Sequence, residues 1–289
     1  MGIGSYLALP FAQHALEAAF LVALSCGLIG PFVITRAMSF AVHGTSELAF
    51  TGGVAGLLVT GNVLVGALVG ALVVATLIGL LGQRTAERDS TIGVILAGGL
   101  ALGVFLLGFY TGYASEALNI LFGNIFGISS GQILLLALIA VAVAVVLTVI
   151  WRPLLFASVD PDVAAARGVR TGLLGIVFLY VLAVTVTEAA QIVGTLLVLS
   201  LAITPAASAQ RLSANPFVVT TLSIVLAVVA ADGGLLLSFQ FSTVKPSVLI
   251  VALSVGFYVV ARLVGPALAA RRRNRTVSPD PDLAELGHV

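Results

Sequence analysis

The sequence predicts an all-α fold: a polytopic integral membrane helical bundle of eight to nine membrane segments, one of them a half-helix. Three observations lead there. Of the 289 residues, 60% are hydrophobic and only 9% charged, with a mean hydropathy of +1.20, against a charged share of about 25% in soluble domains. Apolar runs of membrane-crossing length recur along the chain. The short polar stretches between and after them hold most of the 13 lysines and arginines.

Crossing the hydrocarbon takes about 20 apolar residues in a helix. Such runs lie near 15–35, 40–60, 62–82, 91–109, 131–150, 172–190, 192–206, 216–231 and 246–265. The opening MGIGSYLALPFAQHALEAAF has no basic n-region and passes straight into the first run, so a cleaved signal peptide is not expected. The second run starts in AVHGTSELAF and is unusually polar. It and the third carry glycines at small-x-x-x-small spacing, Gly52 with Gly56 and Gly66 with Gly70, which permits close helix packing in lipid. The run 192–206 is short, starts at Gly194 and ends at Pro205, so it reads as the half-helix. The connections at about 110–130 and 152–171 are interfacial in character, and no loop is long enough to fold as a domain. Residues 1–270 therefore form one transmembrane domain. The tail 271–289, basic and then acidic with prolines, is expected to be disordered.

Orientation follows from the basic residues flanking the segments. With the amino terminus outside, Arg36, Arg84, Arg88, Arg152, Arg167, Arg170, Arg211 and the tail arginines 271–273 and 275 all fall in the cytoplasm. Only Lys245 is left outside. This places a multi-pass chain in the cell membrane with its carboxyl terminus cytoplasmic. The single cysteine, Cys26, excludes an intramolecular disulfide. The net charge of +1 is spread between the segments, which does not favour a nucleic-acid partner. A phosphate-binding loop of the G-x-x-x-x-G-K-[ST] kind needs a lysine, and Lys245 in TVKPS is the only one, so this chain does not hydrolyse ATP by that motif.

The chemistry concentrates on His43 and Glu47. Polar groups that bind cations are costly in hydrocarbon, and residues at i and i+4 share a helix face. One imidazole and one carboxylate form a borderline-to-hard donor set suited to Mn²⁺, Fe²⁺ or Zn²⁺ and less natural for Cu⁺. Two side chains are too few to hold a metal. A symmetric dimer with this helix at its axis would supply two of each, enough for a transit site of low affinity. Ser39 could add an oxygen. Glu188 and Gln191, at the outer end of a span, are candidates for a gate or a supporting role, as is Asp232 in AADGGLL at an expected outer turn. His14 and Glu17 imitate a site, but stand at the outer start of the first run, where solvation suffices. A proton- or ion-coupled secondary transporter titrating at Glu47, Glu188 and Asp232 is the alternative; no convincing inverted repeat supports it.

Three blocks carry a family resemblance: ITRAMSFAVHGTSELAFTGGVAGLL, then DPDVAAARGVRTGLLGIVFLYVLAVTVTEAAQIVGTLLVLSLAITPAASAQRL, then TVKPSVLIVALSV. In order and spacing, over roughly residues 14–265, they resemble the membrane permeases of zinc/manganese/iron ABC importers. The opening block departs from the family pattern. The family's aspartate position holds His43, its histidine position holds Glu47, and Thr51 stands where a proline is common. The two ligand types have exchanged places, which keeps one of each per subunit. The resemblance implies a homodimer with the path between subunits, two cytosolic ATPase chains and an extracytoplasmic metal-binding protein. It implies no permanently bound cofactor, only the transported ion, and not an enzyme but a transport subunit. It also implies that 204–214 is the coupling helix in an ATPase groove, carried by Thr204, Pro205, Ala206, Ala207, Ser208, Ala209, Gln210, Arg211 and Leu212.

Overall fold

The computed structural model describes residues 9–81, 85–110, 123–195, 198–241 and 244–276. All regular structure among them is helical: α1 (Pro10–Thr35), α2 (Ser39–Thr60), α3 (Val63–Leu81), α4 (Thr85–Leu107), α5 (Ser130–Val159), α6 (Pro161–Ala166), α7 (Thr171–Val193), α8 (Val198–Leu212), α9 (Pro216–Gln240) and α10 (Pro246–Thr276). Six helices are long and apolar enough to cross a membrane: α1, α3, α5, α7, α9 and α10. The expected eight to nine segments are not reached by that measure. α4 offers only the shorter apolar stretch Ile92–Leu107, α8 is 15 residues long, and α2 is diluted by its own polar residues.

α2 can be polar because it is an interior helix. It packs against α3, α4 and α7, with lesser contact to α8 and α1, and its residues 41–51 are buried apart from half-buried His43. α1 is the second centre and touches α9, α8, α5 and α7. At the carboxyl-terminal end of α1, Phe32 meets Trp151 of α5 edge-on at 5.0 Å and Phe178 of α7 at 6.1 Å. The Arg36 guanidinium lies 5.7 Å from the Phe178 ring centroid. This cluster fastens three helices where the basic residues begin.

The α2–α3 pair uses the glycine spacing directly. Gly61, at φ 68°, turns the chain after α2, and the two helices then cross backbone to backbone. A Cβ on Gly56 would stand 2.6 Å from Gly66 Cα, and one on Gly70 would stand 2.7 Å from Gly52 Cα.

Other sequence expectations change. The half-helix 192–206 does not exist as a unit: α7 runs to Val193, Gly194 turns at φ 96°, and α8 continues through Pro205 to Leu212. Proline withholds one backbone donor and ends a helix only when nothing compensates; buried Pro205 is held by packing. The connection 152–171 is mostly helix. α5 extends to Val159, and Asp160 both ends it and caps α6, its carboxylate accepting from the Val163 amide at 3.0 Å ahead of Pro161. α10 continues past 270 to Thr276, while residues 111–122 of the long connection and 277–289 of the tail lie outside the described residues.

Candidate transit site

Ser39, His43 and Glu47 occupy successive turns of one face of α2, with Ser39 half-buried at its first position. Glu47 is 4% exposed. The Nδ1 atom of His43 is buried and has no hydrogen-bond partner. Neighbouring hydroxyls are engaged by the helix itself: Thr45 donates to the Ala41 carbonyl at 2.6 Å and Ser46 to that of His43 at 2.8 Å. A buried ring nitrogen without a partner is expensive in an apolar medium, and here it stands one turn from a carboxylate.

α4 covers this stretch of α2. Ile92 lies against Gly44, Gly99 against Leu48, and Gly103 against Phe50 and Thr51. The Thr51 hydroxyl crosses to the Gly99 carbonyl at 2.8 Å. α4 packs on α2 and, much less, on α3. Its opposite side exposes Gly93, Ala97, Gly98 and Ala101. Thr51→Val should therefore loosen α4 by about 0.5–1 kcal/mol, the usual worth of an interhelical hydrogen bond in a membrane protein. Amide hydrogen exchange across 92–107 should quicken severalfold with α1 and α9 unaffected; unchanged exchange would remove this bond from the account.

The other sequence candidates do not gather here. Glu188 is not at a solvated helix end; it is 1% exposed inside the bundle on α7, with both carboxylate oxygens unpartnered. Gln191 lies one turn further on, and its side chain lies outside the described residues. Asp232 is not at a turn. α9 runs through it to Gln240, because the following glycines serve contact and not termination: a Cβ on Gly234 would stand 2.6 Å from the Ile250 amide nitrogen. Asp232 shares an open groove with Glu17 and Phe20, and its Oδ1 is buried without a partner. Thr204–Leu212 form the carboxyl-terminal part of α8, where Pro205, Ala206, Ser208 and Ala209 are buried and Arg211 is exposed. Gln210 lies beside α1, with Nε2 3.4 Å from the Pro31 carbonyl and from Thr35 Oγ1. Among the described residues no three His, Cys, Asp or Glu side chains converge as a metal cluster. His43 and Glu47 are thus half of a site at most.

Sequence reading missed two features. One is the exposure of α6, where Ala164 alone is buried; the Asp160–Pro161 cap signal was there to be read. The other is a cavity of about 360 Å³ at the outer end, with Asn124, Gln132 and Thr195 in its lining, which depends on three distant segments and has no local signature.

Comparison with known proteins adds the lineage. Residues 8–265 match the model of the family described as the ABC 3 transport family. The manganese transport system membrane protein MntC of Halalkalibacterium halodurans is 29% identical over 252 residues, 87% of this chain and 86% of that protein. The high-affinity zinc uptake system membrane protein ZnuB of Haemophilus influenzae is 27% identical over 238 residues, 82% of this chain and 91% of that one. Among solved structures, PsaBC from Streptococcus pneumoniae in complex with Fab superposes with a TM-score of 0.84 at 25% identity, covering 94% of this chain and all of that one.

Proposed function

Because this chain belongs to the ABC 3 transport family, we propose that it is the membrane permease subunit of an importer that moves a divalent transition metal into the cytoplasm, Mn²⁺ or Zn²⁺ first and Fe²⁺ after them. As an ABC permease it is a transport subunit and not an enzyme, and ATP hydrolysis belongs to a separate subunit. The observation that carries the reading is the unpartnered Nδ1 of His43, buried one helical turn from Glu47 at membrane depth. An apolar bundle has no packing use for such a pair, whereas a passing cation satisfies both groups. Family membership leaves the pump-independent carrier without a supporting observation.

Counting α2, α4 and α8 as crossings gives nine, with the amino terminus outside and the inner ends of α1, α5 and α8 beside the arginines. The path forms in a homodimer, where a second copy faces the small-residue side of α4. α4 then separates the His43–Glu47 face from the seam, so a shift of α4 completes the site with two residues from each subunit. An extracytoplasmic metal-binding protein delivers the ion at the outer ends. ATP-driven motion of the cytosolic subunits makes passage directional, and the site needs only low affinity because one that is too tight would not release.

The ATPase meets the inner face. Within 204–212, Pro205, Ala206, Ser208 and Ala209 are buried, which leaves α8 to contribute chiefly through its end at Arg211 and Leu212, and the protruding element is α6, with Val163 46% exposed. The two are bridged by the end of α1, since Gln210 reaches Thr35 and Arg36 donates to Ser158 of α5 at 3.4 Å. Val163→Asp is expected to reduce ATPase co-purification at least tenfold, and Arg211→Glu severalfold, with the membrane bundle intact. Retention by Val163→Asp and loss by Arg211→Glu would return the contact to α8.

The test of function is ATP-driven uptake of Mn²⁺ and Zn²⁺ into vesicles that contain the permease with its ATPase chain. Uptake should vanish when either chain or ATP is omitted. Metal uptake by this polypeptide alone would overturn the reading.

A further inference from the structure

The outer cavity of about 360 Å³ lies between α2, α3, α5, α7 and the connection before α5. Deeper along α7 is a second pocket of about 10 Å³, bounded by Leu64, Leu68, Gln132, Ile139 and Glu188. That volume is room for one water or one bare ion. Leu64, Gln132 and Leu136 line both spaces, so the small pocket adjoins the floor of the large one.

Three buried oxygens here have no partner: both of the Glu188 carboxylate and the hydroxyl of Thr195. Nearby donors are engaged elsewhere. Thr187 donates to the Ala183 carbonyl at 2.8 Å, and Ser25 of α1, beside the carboxylate, donates to the Leu21 carbonyl at 3.1 Å. Leucine and isoleucine fill the rest of the small pocket, so an apolar residue at 188 would suit packing alone. A carboxylate withdrawn from water, with no counter-charge and only the Ser25 hydroxyl beside it, calls for a positive ligand.

We propose that Glu188 is the innermost ligand of a second cation site, contained within one subunit and filled from the outer cavity past Asn124 and Thr195, while the Gln132 amide oxygen beside them stays engaged by the Ser129 amide at 2.9 Å. These donors are all oxygen, in contrast to the imidazole-bearing pair on α2. Carboxylate, hydroxyl and amide oxygens suit a hard divalent cation such as Mn²⁺ or Ca²⁺ and narrow the advantage that Zn²⁺ holds at an imidazole-bearing site. The inference rests on the metal-permease reading and deepens it: the ion waits at Glu188 before reaching His43 and Glu47. α2 takes part in both places, since Ala49, two residues beyond Glu47, lines the outer cavity.

The experiment is a Mn²⁺ titration, followed by electron paramagnetic resonance, of the purified permease–ATPase complex without nucleotide. Glu188→Gln keeps the volume and removes the charge. It should weaken at least tenfold a class of sites amounting to one per permease subunit, and Thr195→Val should weaken the same class severalfold. The double variant His43→Ala/Glu47→Ala should leave that class in place. Ca²⁺ should displace Mn²⁺ from the Glu188 class and not from the other. Unchanged number and affinity of Mn²⁺ sites in Glu188→Gln would overturn the proposal, as would failure of excess Ca²⁺ to displace Mn²⁺ from this class. If the metal-permease reading itself is wrong, the complex takes up neither Mn²⁺ nor Zn²⁺ with ATP, while the Glu188 titration still reports on its own site.

Discussion

His43→Ala is expected to abolish ATP-driven metal uptake, by about a hundredfold or more, while the complex with the ATPase still assembles. Loss of a group that merely supports a metal ligand already costs about 10–100-fold in affinity or activity, and His43 is placed as a ligand. Glu47→Ala should be as severe, and Glu47→Gln nearly so, because an amide keeps the shape and loses the charge that offsets a divalent ion. The double variant His43→Asp/Glu47→His restores the family's order on the same helix face. It should keep measurable uptake and change the ratio of Mn²⁺ to Zn²⁺ transport. The check is isotope uptake into vesicles alongside co-purification of the ATPase; full uptake by His43→Ala would remove α2 from the path. Stability should move in the other direction. The unpartnered His43 Nδ1 is a burden on the folded bundle, so an apolar replacement should not lower the thermal midpoint.

Gly66→Leu is expected to prevent assembly of the amino-terminal half of the bundle. A Cβ at this position would meet the Gly52 carbonyl and come within 2.5 Å of Gly56 Cα. Both are backbone, so no side chain can swing aside and α3 must move away from α2. Overpacking in a close-packed core costs about 1–3 kcal/mol and more when the backbone itself must shift. With α3 displaced, α2 loses its most extensive contact and exposes a polar helix to lipid. The variant should be recovered at a small fraction of the normal membrane yield, with raised protease sensitivity. Gly98→Leu is the control: a side chain there meets nothing within 4 Å in one subunit, so that variant should fold and fail only where a second copy must approach. Normal yield and transport for Gly66→Leu would show that the helices do not cross as described.

The class of fold was legible because lipid leaves few options: recurrent apolar runs without charge can only be spanning helices. The second run was legible as the polar one, since His43 and Glu47 are separated by one turn and nothing else in that stretch is charged; that it would be an interior helix was not. The segment after α7 was misread because Pro205 looks like a helix end when its neighbours are unknown. Packing of α8 against α1, α9 and α10 carries the helix through it. Asp232 was misread for the same reason, as Asp-Gly-Gly signals a turn locally and serves a close approach to α10 in the fold. Glu188 was seen and misplaced: it stands about one and a half turns from the end of α7 at Val193, and burial there comes from α3 and α5, far away in sequence. The proline-bounded stretch drew attention away from α6, an exposed short helix whose cap at Asp160 was overlooked among charges.

α5 and α6 share one residue as end and beginning, Asp160. α5 is 30 residues long, about 45 Å of rod, and its far end carries Gln132 at the lip of both outer pockets. The first turn there is clamped by a capping box between Ser129 and Gln132. A displacement of α6 is therefore applied to a lever whose other arm borders those two pockets. Pro153, six residues before the end of α5, is where the rod can flex. α6 and the Gln132 turn are the two ends of one stiff part, so a movement at one is mechanically tied to the shape of the pockets at the other.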